Sequence, residues 1–323
     1  MDPKIRFDLE SSYGISSNCI IPVAGGWLNQ KWKIYSNDTA WLVKQYSLKR
    51  FQKEKIIQIN DALHRQVLLE KYGIPCPHIF LFQNQPIRML EEEIFYMVMR
   101  FCPGKIENHN TITREQMKSL GNVCGQMHRT FSQISPQGVK GFPIHSNYVL
   151  SSLWKNHFSS LAQLKKYPIR EYVKTITGQI KILQTLTTDF FDRLPKGIAH
   201  EDFSPDNMLF FPDKISVLLD FDRNQYSFIW HDIGRAILSF ALKNSKLDLQ
   251  IISSFLQGYN KCIPFTAKDL IDALKITWCL EIFWWVQPEV YENGSPKILR
   301  FKDEMVWMTD HWFDLETILL PLL

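Results

Sequence analysis

Six carboxylates crowd into residues 200–222 of the 323-residue chain, HEDFSPDNMLFFPDKISVLLDFD: Glu201, Asp202, Asp206, Asp213, Asp220 and Asp222. They surround two short apolar runs, 208–211 and 215–221, joined by Pro212-Asp213-Lys214, which is the pattern of a β-hairpin. The Asp–x4–Asn spacing from Asp202 to Asn207 lets a tight loop aim two oxygen ligands at one point, and Asp220 ends the following strand. Hard oxygens converging in this way suit Mg²⁺, which takes one or two carboxylates and completes its shell with phosphate oxygens. A loop whose acids only cap turns explains any one of these residues, but not the set. Far upstream, Lys44 lies in the middle of an apolar run, Trp41-Leu42-Val43-Lys44-Gln45-Tyr46, where a strand lysine either faces solvent or holds a buried anion.

The elements that must position these groups fall into two kinds. The first hundred residues read as strands at 19–23, 31–35, 41–46, 79–82 and 94–101. One helix over 51–72 interrupts them, with Ile56, Ile59, Leu63 and Val67 on one face and Gly73 placed as its C-cap. Gly25-Gly26 opens the turn between the first two strands. After Cys102-Pro103-Gly104 the periodicity becomes helical, at 114–131, 148–164, 171–192, 233–243, 248–260 and 267–286, with the acidic hairpin as an insertion. The expected division is residues 1–102 and 103–323. The tail is rich in tryptophan, and Trp278, Trp284, Trp285, Trp307 and Trp312 either pack the core or line a pocket for an ammonium group.

Composition excludes several classes. The net charge is +4, with 22% charged and 45% hydrophobic residues, ordinary for a folded protein. There is no concentrated basic run, so no nucleic-acid partner is expected. Six cysteines without C-x-x-C spacing argue against a disulfide framework or a zinc site. The N-terminal residues lack the apolar core of a signal peptide, and no apolar run approaches the ~20 residues of a membrane span. The expectation is a cytoplasmic protein with no membrane partner.

His200-Glu201-Asp202, Asn207 and Asp220-Phe221-Asp222 resemble the kinase pattern H-R-D-x-x-x-x-N followed by D-F-G, with Glu for Arg and Asp for Gly. Those departures are similar to the aminoglycoside phosphotransferase and choline kinase family, which includes type II homoserine kinases and spore-coat kinase-like proteins. The resemblance extends to Gly73-Ile74-Pro75-Cys76-Pro77, to the strand ending in Arg100-Phe101-Cys102-Pro103-Gly104, to Leu120-Gly121 through Met127-His128, and to Trp230-His231-Asp232-Ile233-Gly234, in order over residues 20–265.

The resemblance implies an α+β, protein-kinase-like bilobal fold: a small β-rich N-lobe, a larger mostly helical C-lobe, and ATP or GTP with Mg²⁺ in the cleft. It implies Asp202 as the base at a small-molecule hydroxyl, Asn207 and Asp220 as metal ligands, and Lys44 on the phosphates. Gly25 and Gly26 would cover the phosphates, unless they form a plain hairpin turn. The backbone at Arg100 and Cys102 would bind adenine. Asp61 or Glu54 on the helix would pair with Lys44, while His200 and Asp232 would brace the loop. The acceptor expected is an amine-bearing hydroxyl compound: an aminoglycoside, an amino alcohol or a hydroxy-amino acid. A pseudoenzyme or coat-type binding protein remains the alternative. A protein kinase is disfavoured because no A-P-E segment follows Asp220, and a plain interaction module because of the acid-rich hairpin.

Overall fold

In the computed structural model, which describes residues 1–16, 19–23, 29–36, 38–48, 52–91 and 93–322, the chain divides into two compact units. The first comprises Met1–Lys105 and Ser216–Asn224, the second Ile106–Ile215 and Gln225–Leu323. The segment Ser216–Asn224, expected with the second domain, is thus part of the first unit.

The first unit begins with a helix the periodicity did not suggest, α1 (Pro3–Tyr13). Its signals are at the ends. The Asp2 side chain accepts from the Lys4 N–H, Pro3 takes the first turn, and Gly14 closes the helix at φ +64°. Ile5 and Leu9 bury against Trp32, Ile34, Val43, Tyr96 and Val98. Asp8 accepts from Arg88 and from the Tyr96 hydroxyl.

Strands β1 (Ile20–Pro22), β2 (Gln30–Ser36) and β3 (Thr39–Tyr46) precede α2 (Lys53–Lys71), β4 (Arg88–Leu90) and β5 (Ile94–Arg100). The sheet is antiparallel in the order β1-β2-β3-β5-β4. The run 79–82 makes isolated bridges, Ile79 to Met99 and Phe82 to Gln85, and Arg88–Leu90 takes the edge position instead. On the central strand β3, Lys44 pairs in register with Lys31 on one side and Met97 on the other. Helix α2 buries Ile56, Ile59 and Leu63 among Tyr46, Ile79, Phe95 and Met97. It ends as a glycine stop requires: Gly73 stands at φ +78° and the N–H of Ile74 reaches back to the Leu69 carbonyl.

In the second unit, α3 (Arg114–Phe131) starts at a capping box between Thr113 and Gln116. Helices α4 (Ser146–Gln163), α5 (Arg170–Leu183) and α6 (Thr188–Asp192) follow. The expected helix over 171–192 therefore breaks after Leu183. The acid-rich segment is framed by β6 (Lys196–Ala199), β7 (Met208–Phe210), β8 (Ile215–Leu218, which runs into the first unit) and β9 (Gln225–Phe228). The antiparallel β6–β9 pair, from Lys196↔Phe228 to Ala199↔Gln225, was not legible as strands in the sequence.

Helix α7 (Trp230–Ala241) is followed by the short pair β10 (Leu242–Lys243) and β11 (Lys246–Leu247), then α8 (Leu249–Tyr259) and α9 (Ala267–Trp285). The tail adds α10 (Pro288–Asn293), α11 (Pro296–His311) and α12 (Leu315–Leu319). Helices α3 and α8 approach so closely that a Cβ on Gly258 would sit 2.0 Å from the Lys118 carbonyl oxygen. No helix among the described residues is long and apolar enough to cross a membrane.

Candidate active site

Within the first unit, Lys44 is 3% exposed and its ammonium group lies 2.8 Å from Asp220 Oδ1 and 2.6 Å from Asp222 Oδ2. The Tyr46 hydroxyl, two residues along the strand and so on the same face, donates to Asp222 Oδ1 at 3.2 Å. Burial alone would lower the Lys44 pKa, but the Asp220 and Asp222 charges outweigh it and hold the amine well above its ordinary value. The Asp222 pKa is raised too, which for an acid means a bias toward the neutral form. Burial and the neighbouring Asp220 charge favour its protonated form, against the pull of Lys44.

The lysine's partner was expected on α2, at Asp61 or Glu54. The structure pairs Lys44 with the two acids of Asp220-Phe221-Asp222, and α2 contributes to the site differently. Arg65 donates to the Asn224 side chain at 2.6 Å and to its carbonyl at 3.0 Å, while Asn224 donates to the Ala62 carbonyl at 2.9 Å. The N–H of Leu218 donates to the Pro75 carbonyl at 2.8 Å. The acidic segment is therefore held at both ends, and Asp220 between them adopts φ +58°, ψ +59°. This left-handed conformation is one that aspartate enters more readily than most residues. The second acid was visible in the sequence as the departure from D-F-G, and that departure was the available signal for the Lys44 partner.

At the end of β5, the Arg100 N–H donates to the His78 carbonyl at 2.8 Å, and the Phe101 N–H to Ala40 at 2.9 Å. Arg100 can therefore offer a ligand its carbonyl but not its amide. Cys102 turns its Sγ back to that carbonyl at 3.6 Å. Gly25 and Gly26 lie outside the described residues.

The second unit holds Asp202 and Asn207. The Asn207 side-chain amide donates to the Asp202 carbonyl at 2.9 Å, which leaves its Oδ1 as the atom available to a cation. The loop is fastened from beneath by Asp232 at the start of α7. Its carboxylate accepts from the N–H of His200 at 2.7 Å, from the N–H of Glu201 at 3.0 Å, and from His128 at 3.1 Å. Burial would raise the Asp232 pKa, but the His128 hydrogen bond, with the neighbouring histidine charges, holds it below the usual range. The Asp202 N–H donates to His200 Nδ1 at 3.3 Å, a loop-closing contact.

Glu201 stands at φ +65° and reaches His231 Nδ1 at 3.2 Å and Gln225 Nε2 at 3.0 Å. His231 in turn meets Glu281 at 2.7 Å, and Arg235 bridges Glu281 and Glu304. Burial opposes charge on His231, but Glu201 and Glu281 together push its pKa up to about 10. A histidine raised from an ordinary value near 6.5 contributes its full stabilisation below about pH 6.5 and loses it as pH rises through about 10. The melting temperature should therefore fall between pH 7 and 10 more steeply in the native protein than in His231→Gln, which keeps polar contacts without the charge. Parallel slopes in thermal denaturation would show that His231 is not a buried cation.

Three of the five tail tryptophans are core. Trp278 donates to Thr309 and packs on Trp312, and Trp307 donates to the Ser245 carbonyl. Trp285 stacks on Phe301 and donates to Glu281, while Trp284 is 70% exposed.

The donor chemistry fits a hard cation. Asn207, in the second unit, offers an amide oxygen and Asp220, in the first, a carboxylate, each a donor of the kind Mg²⁺ takes when phosphate oxygens complete its shell. Among the described residues, no group of three or more His, Cys, Asp or Glu is placed to hold a metal ion.

A model of the phosphotransferase enzyme family matches residues 20–265. Homoserine kinase of Methylobacillus flagellatus is 22% identical over 229 residues, 70% of this chain and 66% of the relative. That of Methylobacillus glycogenes is 20% identical over 227 residues, with the same coverage. The chain thus spans just under two thirds of the length of these curated relatives. An amicoumacin kinase solved with AMP-PNP and Ca²⁺ superposes with a TM-score of 0.64 at 14% identity, covering 97% of this chain and 94% of that one. A microcompartment-associated aminopropanol kinase gives 0.61 at 13%, covering 98% and 99%. The fold is protein-kinase-like, with a β-sheet N-terminal region and a helical C-terminal region, and the chain belongs to the phosphotransferase enzyme family.

Proposed function

We propose that the protein transfers the γ-phosphoryl group of ATP or GTP to a hydroxyl of a small molecule. The acceptor falls in the classes its relatives' names suggest: a hydroxy-amino acid, an amino alcohol or an aminoglycoside. Asp202 accepts the hydroxyl proton as the oxygen attacks phosphorus, and Asp232, His128 and His200 hold the loop so that its carboxylate keeps one position. Lys44 compensates charge on the phosphates. The Arg100 carbonyl and the Cys102 amide hold the base. Asn207 and Asp220 hold Mg²⁺, which neutralises phosphate charge when bound. Phosphoryl transfer asks a protein mainly for positioning and charge compensation, and two carboxylates, an amide and a lysine are enough. In this assignment nucleotide binding belongs mainly to the first unit, Met1–Lys105 with Ser216–Asn224, and acceptor binding to the second.

The observation that carries the reading is the buried Lys44, held on a central strand against Asp220 and Asp222. A buried ammonium that draws two acids to itself is costly to maintain for stability alone. Turnover should require Mg²⁺ or Mn²⁺ and cease in EDTA, read as ADP release with an acceptor panel. Undiminished turnover in chelator would reject the metal assignment. Nucleotide binding without any transfer would favour a kinase-fold protein lacking turnover.

A further inference from the structure

Beside the catalytic loop, the second unit gathers cations that the phosphotransfer chemistry does not use. We propose that Lys297 and Arg300 of α11 form a site for a carboxylate carried by the acceptor. The identity of the ligand as the acceptor rests on the phosphotransfer reading.

The turn Pro205–Asn207 places Asp206 four residues past Asp202. Lys297 Nζ lies 2.9 Å and Arg300 Nη2 3.6 Å from the same oxygen, Asp206 Oδ2. The Arg300 distance is too long for a hydrogen bond. Its second acid, Glu304, is 3.6 Å from Nε and already bridged by Arg235. The Nε and Nη2 atoms of Arg300 are thus buried without a hydrogen-bond acceptor, although buried guanidinium N–H groups are ordinarily satisfied. His109 reports the local field: burial first, then the charges of Arg300 and Lys243, hold its pKa below the ordinary value. Lys297 and Arg300 therefore face one acid, Asp206, that is not already engaged by an interior arginine.

Such a field repels a polyamine and attracts an anion. A guanidinium with unmet N–H groups matches the two oxygens of a carboxylate better than a single-point anion. Among the proposed acceptor classes this selects the hydroxy-amino acid over the amino alcohol and the aminoglycoside.

The test is calorimetric titration of the full chain with Mg·ADP, using L-homoserine, 4-hydroxybutyrate, L-homoserine amide and 3-aminopropan-1-ol. The acid should bind at least about tenfold more tightly than its amide, the order of one charge-assisted hydrogen bond. Arg300→Met should bring the ratio close to one with ADP affinity unchanged. Lys297→Met, at a half-exposed position, should lower the ratio severalfold and serves if the arginine variant does not fold. Equal affinity for acid and amide, tighter binding of the amino alcohol, or no binding of either carboxylate compound would overturn the site. Asp202→Asn separates the two claims. A carboxylate preference beside normal turnover in that variant would refute the catalytic reading alone. Lost turnover without the preference would refute this site alone.

Discussion

Asp202→Asn should lower kcat by about 10²- to 10⁴-fold, with nucleotide affinity changed little. The substitution keeps the size of the side chain and much of its hydrogen bonding, but removes the negative charge and the ability to take a proton. General-base assistance is worth about that factor, or about 3–5 kcal/mol in the barrier. Nucleotide affinity should survive because the groups assigned to it, Lys44, Asp220 and the strand end at Arg100, belong to the other unit. The loop should also keep its shape. Its fastening is through the backbone N–H groups of His200 and Glu201 to Asp232, which the substitution does not touch. Steady-state kinetics beside calorimetric ADP binding would read both quantities. His200→Ala offers the contrast: it should lower stability along with rate, because the Asp202 N–H leans on its ring. Near-normal turnover in a folded Asp202→Asn protein would remove the base.

Lys44→Ala should reduce kcat by about 10²- to 10³-fold, the usual cost of losing one charged donor at a transition state. The ammonium sits against Asp220 and Asp222 in a site burial has largely dried. Its loss removes the ammonium that holds those two carboxylates together. Asp222, already biased toward protonation by burial and by Asp220, should then take up a proton more readily. The adenine contacts assigned to the Arg100 carbonyl would not involve the Lys44 side chain, so nucleotide affinity should fall far less than kcat. Wild-type kcat/KM in Lys44→Ala would show that β3 is not the phosphate-binding strand.

The sequence carried the acid set, the strand lysine and the fold class because each is local. Asp202 to Asn207 is a spacing within one loop, Lys44 interrupts an apolar strand, and the switch from strand to helix periodicity after Cys102 is abrupt. What escaped was set by tertiary pairing. Asp61 and Glu54 lay on the right helix for a lysine partner. The true partners came from a segment some 180 residues away that joins the first unit. Strands β6 and β9 are four residues each and take their identity from each other. Helix α1 has little amphipathic pattern, and only its capping residues marked it. Glu201 read as a substitution in the kinase pattern. Its engagement of His231, and through it Glu281, depends on the placement of α9, which no local rule supplies.

The central claim is tested most directly by following the label from γ-³²P-ATP in the presence of Mg²⁺ and the acceptor panel, with native protein and Asp202→Asn side by side. The account predicts that radioactivity moves from ATP to a small-molecule phosphate ester with the native protein, and about 10²- to 10⁴-fold more slowly with the variant. Label that remains in ATP with every acceptor, or that transfers equally well without the Asp202 carboxylate, would contradict it.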